Sequence, residues 1–303
     1  VEVYDEREGG RISGARFAAE FNTAFTPKDE IAGQFATVYN LFSLVIASML
    51  FTALFLLLSR GRVAPRYRNA LVVSAIVCGI AAYHYFRIFD NFKASYPAGD
   101  TVGAVHNLSN IEFNEAYRYV DWLLTVPLIL VETIAVMALG RAASRSLLVK
   151  LVPASALMIV LGYPGEIAAG MGSRALWGTL STIPFLYILY VLFIELTSSL
   201  DRQPHEVRTT IKRLRASLLA LWCVYPVAYL FPIIGGEFFG GANGFVLRQA
   251  GYSIADILAK AAYGLVIYKV ARIKSGLEDS RYDDDHDAPA PSRDRPGRAP
   301  ATA

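Results

Sequence analysis

The chain has 303 residues, 54% hydrophobic and only 18% charged, with a mean hydropathy of +0.37 and a formal net charge of +3. A soluble chain carries about a quarter charged residues, so this balance excludes a disordered or fibrous protein and argues against a cytosolic enzyme. The net charge is too small and too scattered for nucleic acid to be a partner. The two cysteines, Cys78 and Cys223, both lie in apolar blocks, which leaves no disulfide framework or paired-cysteine metal site.

A membrane-spanning helix needs about 20 mostly apolar residues. Reading for that length predicts seven spans, at 34–59, 68–91, 113–139, 146–165, 174–199, 212–235 and 246–272. The fourth is the weakest, because Lys150 and Pro153 interrupt its start. Internal prolines at Pro127, Pro184 and Pro226 are tolerated better in membrane helices than in soluble ones. The expected fold class is therefore an all-α membrane protein, a bundle of seven transmembrane helices in a lipid bilayer. Residues 1–33 form a polar N-terminal segment, 34–272 the bundle, and 273–303 a charged, proline-rich tail (DDDHDAPAPSRDRPGRAP) that is expected to be disordered.

The loops after spans one, three and five carry Arg60, Arg62, Arg66, Arg68, Arg141, Arg145, Lys150, Arg202, Arg208, Lys212, Arg213 and Arg215. The opposite loops carry Lys93, Arg174 and Arg248. Basic loops stay in the cytoplasm, so the N-terminus is expected outside the cell membrane and the tail inside.

Ionisable groups at membrane depth mark function by default, since each costs about 2.5–3.5 kcal/mol or more at the bilayer centre. In the seventh span (SIADILAKAAYG), Asp256 and Lys260 are four residues apart and share a face. They form either a structural ion pair or the anion and amine of a site where Lys260 condenses with an aldehyde. Burial disfavours a free ammonium, and a protonated imine needs a fixed anion. In the third span (YRYVDWLLTVPLILVE), Arg118, Asp121 and Thr125 lie on one stripe, and Glu132 follows Asp121 by eleven residues. That spacing is close to three turns, or roughly 16 Å, so both carboxylates face the same way. His84, in AAYHYFRIF, reads equally well as a hydrogen-bonded core residue and as an actor. Tyr119, Trp122, Trp222, Tyr225 and Tyr229 are either packing or the walls of an apolar cavity for a bound chromophore.

Taken together, RYVDWLLTVPL on the third span, WxxYP on the sixth and DxxxK on the seventh resemble the microbial rhodopsins over residues 34–272. AYHYFRIF and the set Asp121, Thr125, Glu132 are most similar to the proteorhodopsin and xanthorhodopsin branch of outward proton pumps. The resemblance implies an internal pocket for all-trans retinal, bound to Lys260 as a Schiff base. It makes Asp121 the proton acceptor and counterion, Asp256 the second counterion, Arg118 the gate of the outward path and Glu132 the proton donor. His84 would partner Asp121. Trp122, Trp222, Tyr225 and Pro226 match pocket positions, and Met158 and Gly162 match those that embrace the ring end of retinal. Ile129 occupies the branch's colour-tuning site and implies green absorption.

Gly178, in LWGTLST, matches a glycine that in the xanthorhodopsin group opens a window for a keto-carotenoid antenna; its plain alternative is close helix packing. Where some family pumps carry outer glutamates for proton release, this chain has Arg248, and Glu237 is a loop acid without an obvious partner. A homo-oligomer is implied by resemblance alone. The resemblance implies a transporter rather than an enzyme, with protons as its cargo. The rival within the fold is a photosensor signalling to a partner protein, which commonly lacks the carboxylate that Glu132 supplies.

Overall fold

In the computed structural model, residues 28–97, 111, 113–168, 170–200, 203, 205–235 and 242–282 are described. Glu237 and most of the N-terminal segment and tail lie outside them. The chain forms α1 (Lys28–Ser59), α2 (Pro65–Ser95), α3 (Tyr117–Met137) and α4 (Arg141–Glu166). Then α5 starts at Met171–Tyr190 and continues through a π-helical turn, Val191–Glu195, into Leu196–Leu200. After α6 (His205–Ile234) comes α7, built from Ala242–Asp256, a π-helical segment Ile257–Ala262, and Tyr263–Glu278. No strand occurs among the described residues.

Helix starts and stops follow local chemistry. Pro65 opens α2, where its missing N–H is not needed, and Ala64 before it is extended (φ −59°, ψ 148°). The residue closing α3, Ala138, is left-handed (φ 49°, ψ 47°), which stops the helix despite the cost of a side chain there. The fourth helix runs straight through Pro153, and Lys150 meets Glu195 of the α5 π turn at 2.5 Å, so the charge that weakened the sequence pattern is paired. The last helix continues to Glu278, with Lys274 and Ser275 buried. The bundle therefore extends six residues past the boundary expected at 272.

Among the described residues, six helices are long and apolar enough to cross a bilayer, α1 to α6. Burial separates the bundle's centre from its rim. Over their most apolar stretches, α2 and α3 are 56% and 61% buried, against 22% in each of α5 and α6. Large apolar side chains such as Phe51, Leu58, Ile183 and Leu186 are exposed, as expected of a surface that faces lipid rather than water. The cysteines divide likewise: Cys78 is buried on α2 and Cys223 is exposed on α6.

Candidate functional site

Lys260 sits inside the π segment of α7 and is 2% exposed. A π turn widens the helix locally and commonly marks a functional position. The Lys260 ammonium Nζ donates to Asp121 Oδ2 at 2.5 Å and to Asp256 Oδ1 at 2.9 Å. Two tyrosine hydroxyls hold the second carboxylate: Tyr85 donates to Asp256 Oδ2 at 2.7 Å and Tyr225 to Asp256 Oδ1 at 2.6 Å. Asp121 has one oxygen on Lys260 and the other, Oδ1, buried without a partner. Thr125 gives its hydroxyl to the Asp121 backbone carbonyl at 2.9 Å, not to the carboxylate.

Arg118 lies one turn before Asp121 and is 1% exposed. Its guanidinium faces the rings of Tyr252, Phe42 and Tyr85 at 5.2, 5.6 and 5.6 Å, and its three nitrogens have no hydrogen-bond partner. Formally, Lys260 and Arg118 balance Asp121 and Asp256. A buried charge set survives only when balanced in this way. One further turn toward the start of α3, Glu115 receives Arg248 Nη2 at 2.5 Å and Gln249 Nε2 at 2.8 Å, both from α7. The two helices therefore face each other with complementary stripes: Arg118 and Asp121 on α3, with Glu115 in the turn just before it, and Arg248, Tyr252, Asp256 and Lys260 on α7.

Toward the other end of α3 the surroundings change. Glu132 is fully buried, and neither carboxylate oxygen has a hydrogen-bond partner. Ser74 of α2 stands beside it, its hydroxyl near enough to interact with the carboxylate. Nearby, Thr133 and Tyr263 share a hydrogen bond at 2.5 Å. A void of about 10 Å³ between Thr133, Leu192, Leu196, Leu218 and Tyr263 is room for one water at most.

A cavity of about 350 Å³ opens beside Lys260. Trp122, Val126 and Ile129 of α3, Met158 and Gly162 of α4, and Trp222, Tyr225 and Pro226 of α6 wall it. Trp122 is braced by Tyr225 and Tyr252, with ring centroids 5.0 and 5.5 Å away. Gly162 makes room for Tyr119, whose ring edge would lie 3.1 Å from a Cβ there. On α5 the wall is Gly178, with the exposed residues Ala175, Thr179 and Thr182 around it. A Cβ on Gly178 would come within 2.8 Å of the Tyr229 ring. The Tyr229 hydroxyl donates to the Arg174 carbonyl at 2.7 Å.

Thus the structure brings together Lys260, Asp121 and Asp256, sets Arg118 against the tyrosine that binds Asp256, and puts the expected pocket residues around one cavity. It does not bond His84 to Asp121. His84 is buried on α2, with Nδ1 unpartnered and its ring edge-on to Tyr83 at 5.2 Å. Sequence reasoning missed Tyr85, Tyr252 and Glu115. Each had a spacing signal: Tyr252 is four residues before Asp256, Glu115 three before Arg118, and Tyr85 adjoins His84. Arg248, which stands where some family pumps carry an outer glutamate, is the buried partner of Glu115.

A family model described as bacteriorhodopsin-like protein matches residues 36–273. The green-light absorbing proteorhodopsin of Gamma-proteobacterium EBAC31A08 is 30% identical over 233 residues, covering 76% of this chain and 84% of the relative. Among solved structures, xanthorhodopsin, titled a light-driven ion pump with dual chromophore, aligns with a TM-score of 0.75 at 46% identity. A thermophilic rhodopsin aligns with a TM-score of 0.76 at 45% identity. Each alignment covers 81% of this chain and 96% of the other.

Proposed function

The chain belongs to the bacteriorhodopsin-like family of microbial rhodopsins, and from that premise we propose that it is a light-driven pump moving protons outward across the cell membrane. The observation that carries this reading is the Lys260 ammonium, bridged between two buried carboxylates at the wall of an apolar cavity. The cavity suits all-trans retinal: its walls are aromatic and aliphatic, and it offers one amine for an aldehyde. Retinal, held through Lys260 Nζ, would supply light absorption and an isomerisation that changes the acidity of that nitrogen.

The chain's own residues then direct the proton. Asp121 Oδ2 accepts it from Nζ. Asp256 remains the anion, since two tyrosine hydroxyls stabilise its charge. Arg118 has no bonded anion of its own and is therefore free to follow the charge as Asp121 is neutralised and later loses its proton outward. Glu132, buried without a charged partner, is protonated at rest, returns a proton to Nζ from the opposite side, and refills from the cytoplasm. The basic loops after α1, α3 and α5 support this orientation. His84, unbonded in the resting geometry, modulates the acceptor by approach rather than by a standing bond.

Illuminated cells carrying the protein with retinal should acidify an unbuffered medium, and a protonophore should abolish the signal. Alkalinisation would reverse the assigned direction, and a colourless protein after retinal addition would remove the function altogether. The lateral opening at Gly178 supports a keto-carotenoid as antenna. Gly178→Trp should then abolish carotenoid-sensitised pumping while the retinal band persists; a native protein that binds no carotenoid leaves the opening as packing only.

A further inference from the structure

Tyr229 takes no part in the pumping cycle described above, yet two neighbouring helices are cut back to make room for it. It is half-buried on α6 and packs against both α5 and α4. A Cβ on Gly178 of α5 would come within 2.8 Å of its ring, and a Cβ on Gly165 of α4 would overlap its hydroxyl. That hydroxyl donates to the Arg174 carbonyl at 2.7 Å. Arg174 is itself held in place: it is buried, and its Nη2 donates to the Glu166 carbonyl at 3.0 Å. Its guanidinium lies 5.5 Å from the Tyr229 ring, within reach of a cation–π attraction. The ring is therefore seated in a notch of two glycines and hooked at its tip to a fixed frame.

The notch belongs to the wall of the cavity that reaches Lys260. That cavity runs from the amine to Ala175, Thr179 and Thr182 of α5 and to Pro226 and Leu230 of α6, all exposed on the side of the bundle. These two helices are the least buried of the six long apolar ones. Each end of the bundle is harder to cross. Toward the outside stand the buried pair of Glu115 with Arg248 and the Arg118 guanidinium among its rings. Toward the cytoplasm Leu130, Ile134, Leu192 and Leu218 are buried. A long apolar aldehyde dissolves in lipid and is disfavoured in water and beside buried charge. The residues expected at the ring end lie on the α5 side: Ser181 of α5 donates to the Met158 carbonyl at 2.7 Å and stands 3.3 Å from where a Gly162 Cβ would be. Entry from that side brings the aldehyde in first and leaves the ring nearest the opening.

We propose that retinal reaches Lys260 from the bilayer through this side opening and that Tyr229 is its door, whose ring leaves the glycine notch to let a polyene pass. This rests on the retinal reading above. Moving the ring aside breaks the bond to the Arg174 carbonyl and the contact with the guanidinium, and it leaves every helix in place.

The test follows all-trans retinal, delivered from lipid vesicles, into the full-length apoprotein in a bilayer. Trp122 and Trp222 wall the cavity, so quenching of tryptophan fluorescence reports entry, and the visible band reports attachment. Tyr229→Phe keeps the ring and removes the hook; entry should become roughly fivefold faster, the scale of one neutral hydrogen bond. Thr179→Phe crowds the mouth and should slow entry about tenfold, the scale of the strain from one oversized side chain. Leu176→Phe, on an exposed face of α5 outside the opening, should enter at the native rate. Lys260→Ala should be quenched at the native rate without gaining a band, which separates entry from attachment. An unchanged or slower Tyr229→Phe overturns the door. Native entry in Thr179→Phe, or equal slowing in Leu176→Phe, overturns the side route. If Thr179→Phe does not fold, Tyr229→Phe decides by the same criterion. A native protein that is quenched but never gains a band removes the retinal reading, and the door falls with it. A native band with unaltered entry in both variants removes the side entrance alone.

Discussion

The two ends of the α3–α7 contact are built from the same two helices yet have opposite characters. At the Asp121 end, charges alternate and face their complements across the gap: Glu115 with Arg248, Asp121 and Asp256 with Lys260. At the Glu132 end a carboxylate is buried with no ion-pair partner among the described residues, beside the Ser74 hydroxyl. Asp121 and Glu132 lie on one stripe of one helix, so spacing alone makes them equivalent. What separates them is the helix opposite: α7 offers Lys260 to the first and aromatic and small residues to the second. A charge persists where its counter-charge is built in, and a neutral acid persists where none is. The proposed pump takes its direction from that asymmetry.

The most severe way to break the comparison is to remove its pivot. Lys260→Ala should leave no visible band after retinal addition and no light-driven pH change, a complete loss read by absorbance and a pH electrode. Next, Glu132→Gln should slow return of the proton to Lys260 by about a hundredfold, the scale of a positioned acid, while its loss to Asp121 stays near native; flash spectroscopy resolves the two phases. If both phases slow alike, the two ends are not independent. The smallest effect falls on stability. Glu115→Gln strands the buried Arg248 charge and should cost about 3–5 kcal/mol, seen as a lower bleaching temperature with the visible band nearly unmoved. Arg248→Gln in the same background should recover part of that loss, because it removes the stranded charge.

Much of the bundle was legible because a bilayer allows few solutions: apolar length gives the spans, and the prolines do not end them. The core of the site was legible for the same reason, since Lys260, Asp121, Asp256 and Glu132 are costly at that depth. Pairings between helices were not. Nothing in the order of residues says that Glu115, beside a loop, meets Arg248 across the bundle, or that the Tyr85 hydroxyl turns to Asp256 while neighbouring His84 stays unbonded. Nor does the order of residues show that α7 continues as helix past the expected span, with Lys274 and Ser275 buried. In the structure their polar atoms meet carbonyls: Lys274 those of Val136 and Met137, Ser275 that of Ala271.

The π segment at Lys260 has a consequence for register. One surplus residue in a turn offsets everything beyond it by about 100° relative to an uninterrupted α-helix. Arg248, Tyr252 and Asp256 before the segment and Ile267, Ala271 and Lys274 beyond it are all buried, so both halves of α7 face the bundle's interior across it. Shortening the segment by one residue would keep every functional side chain in the chain, yet turn one half of α7 by about 100° against the other.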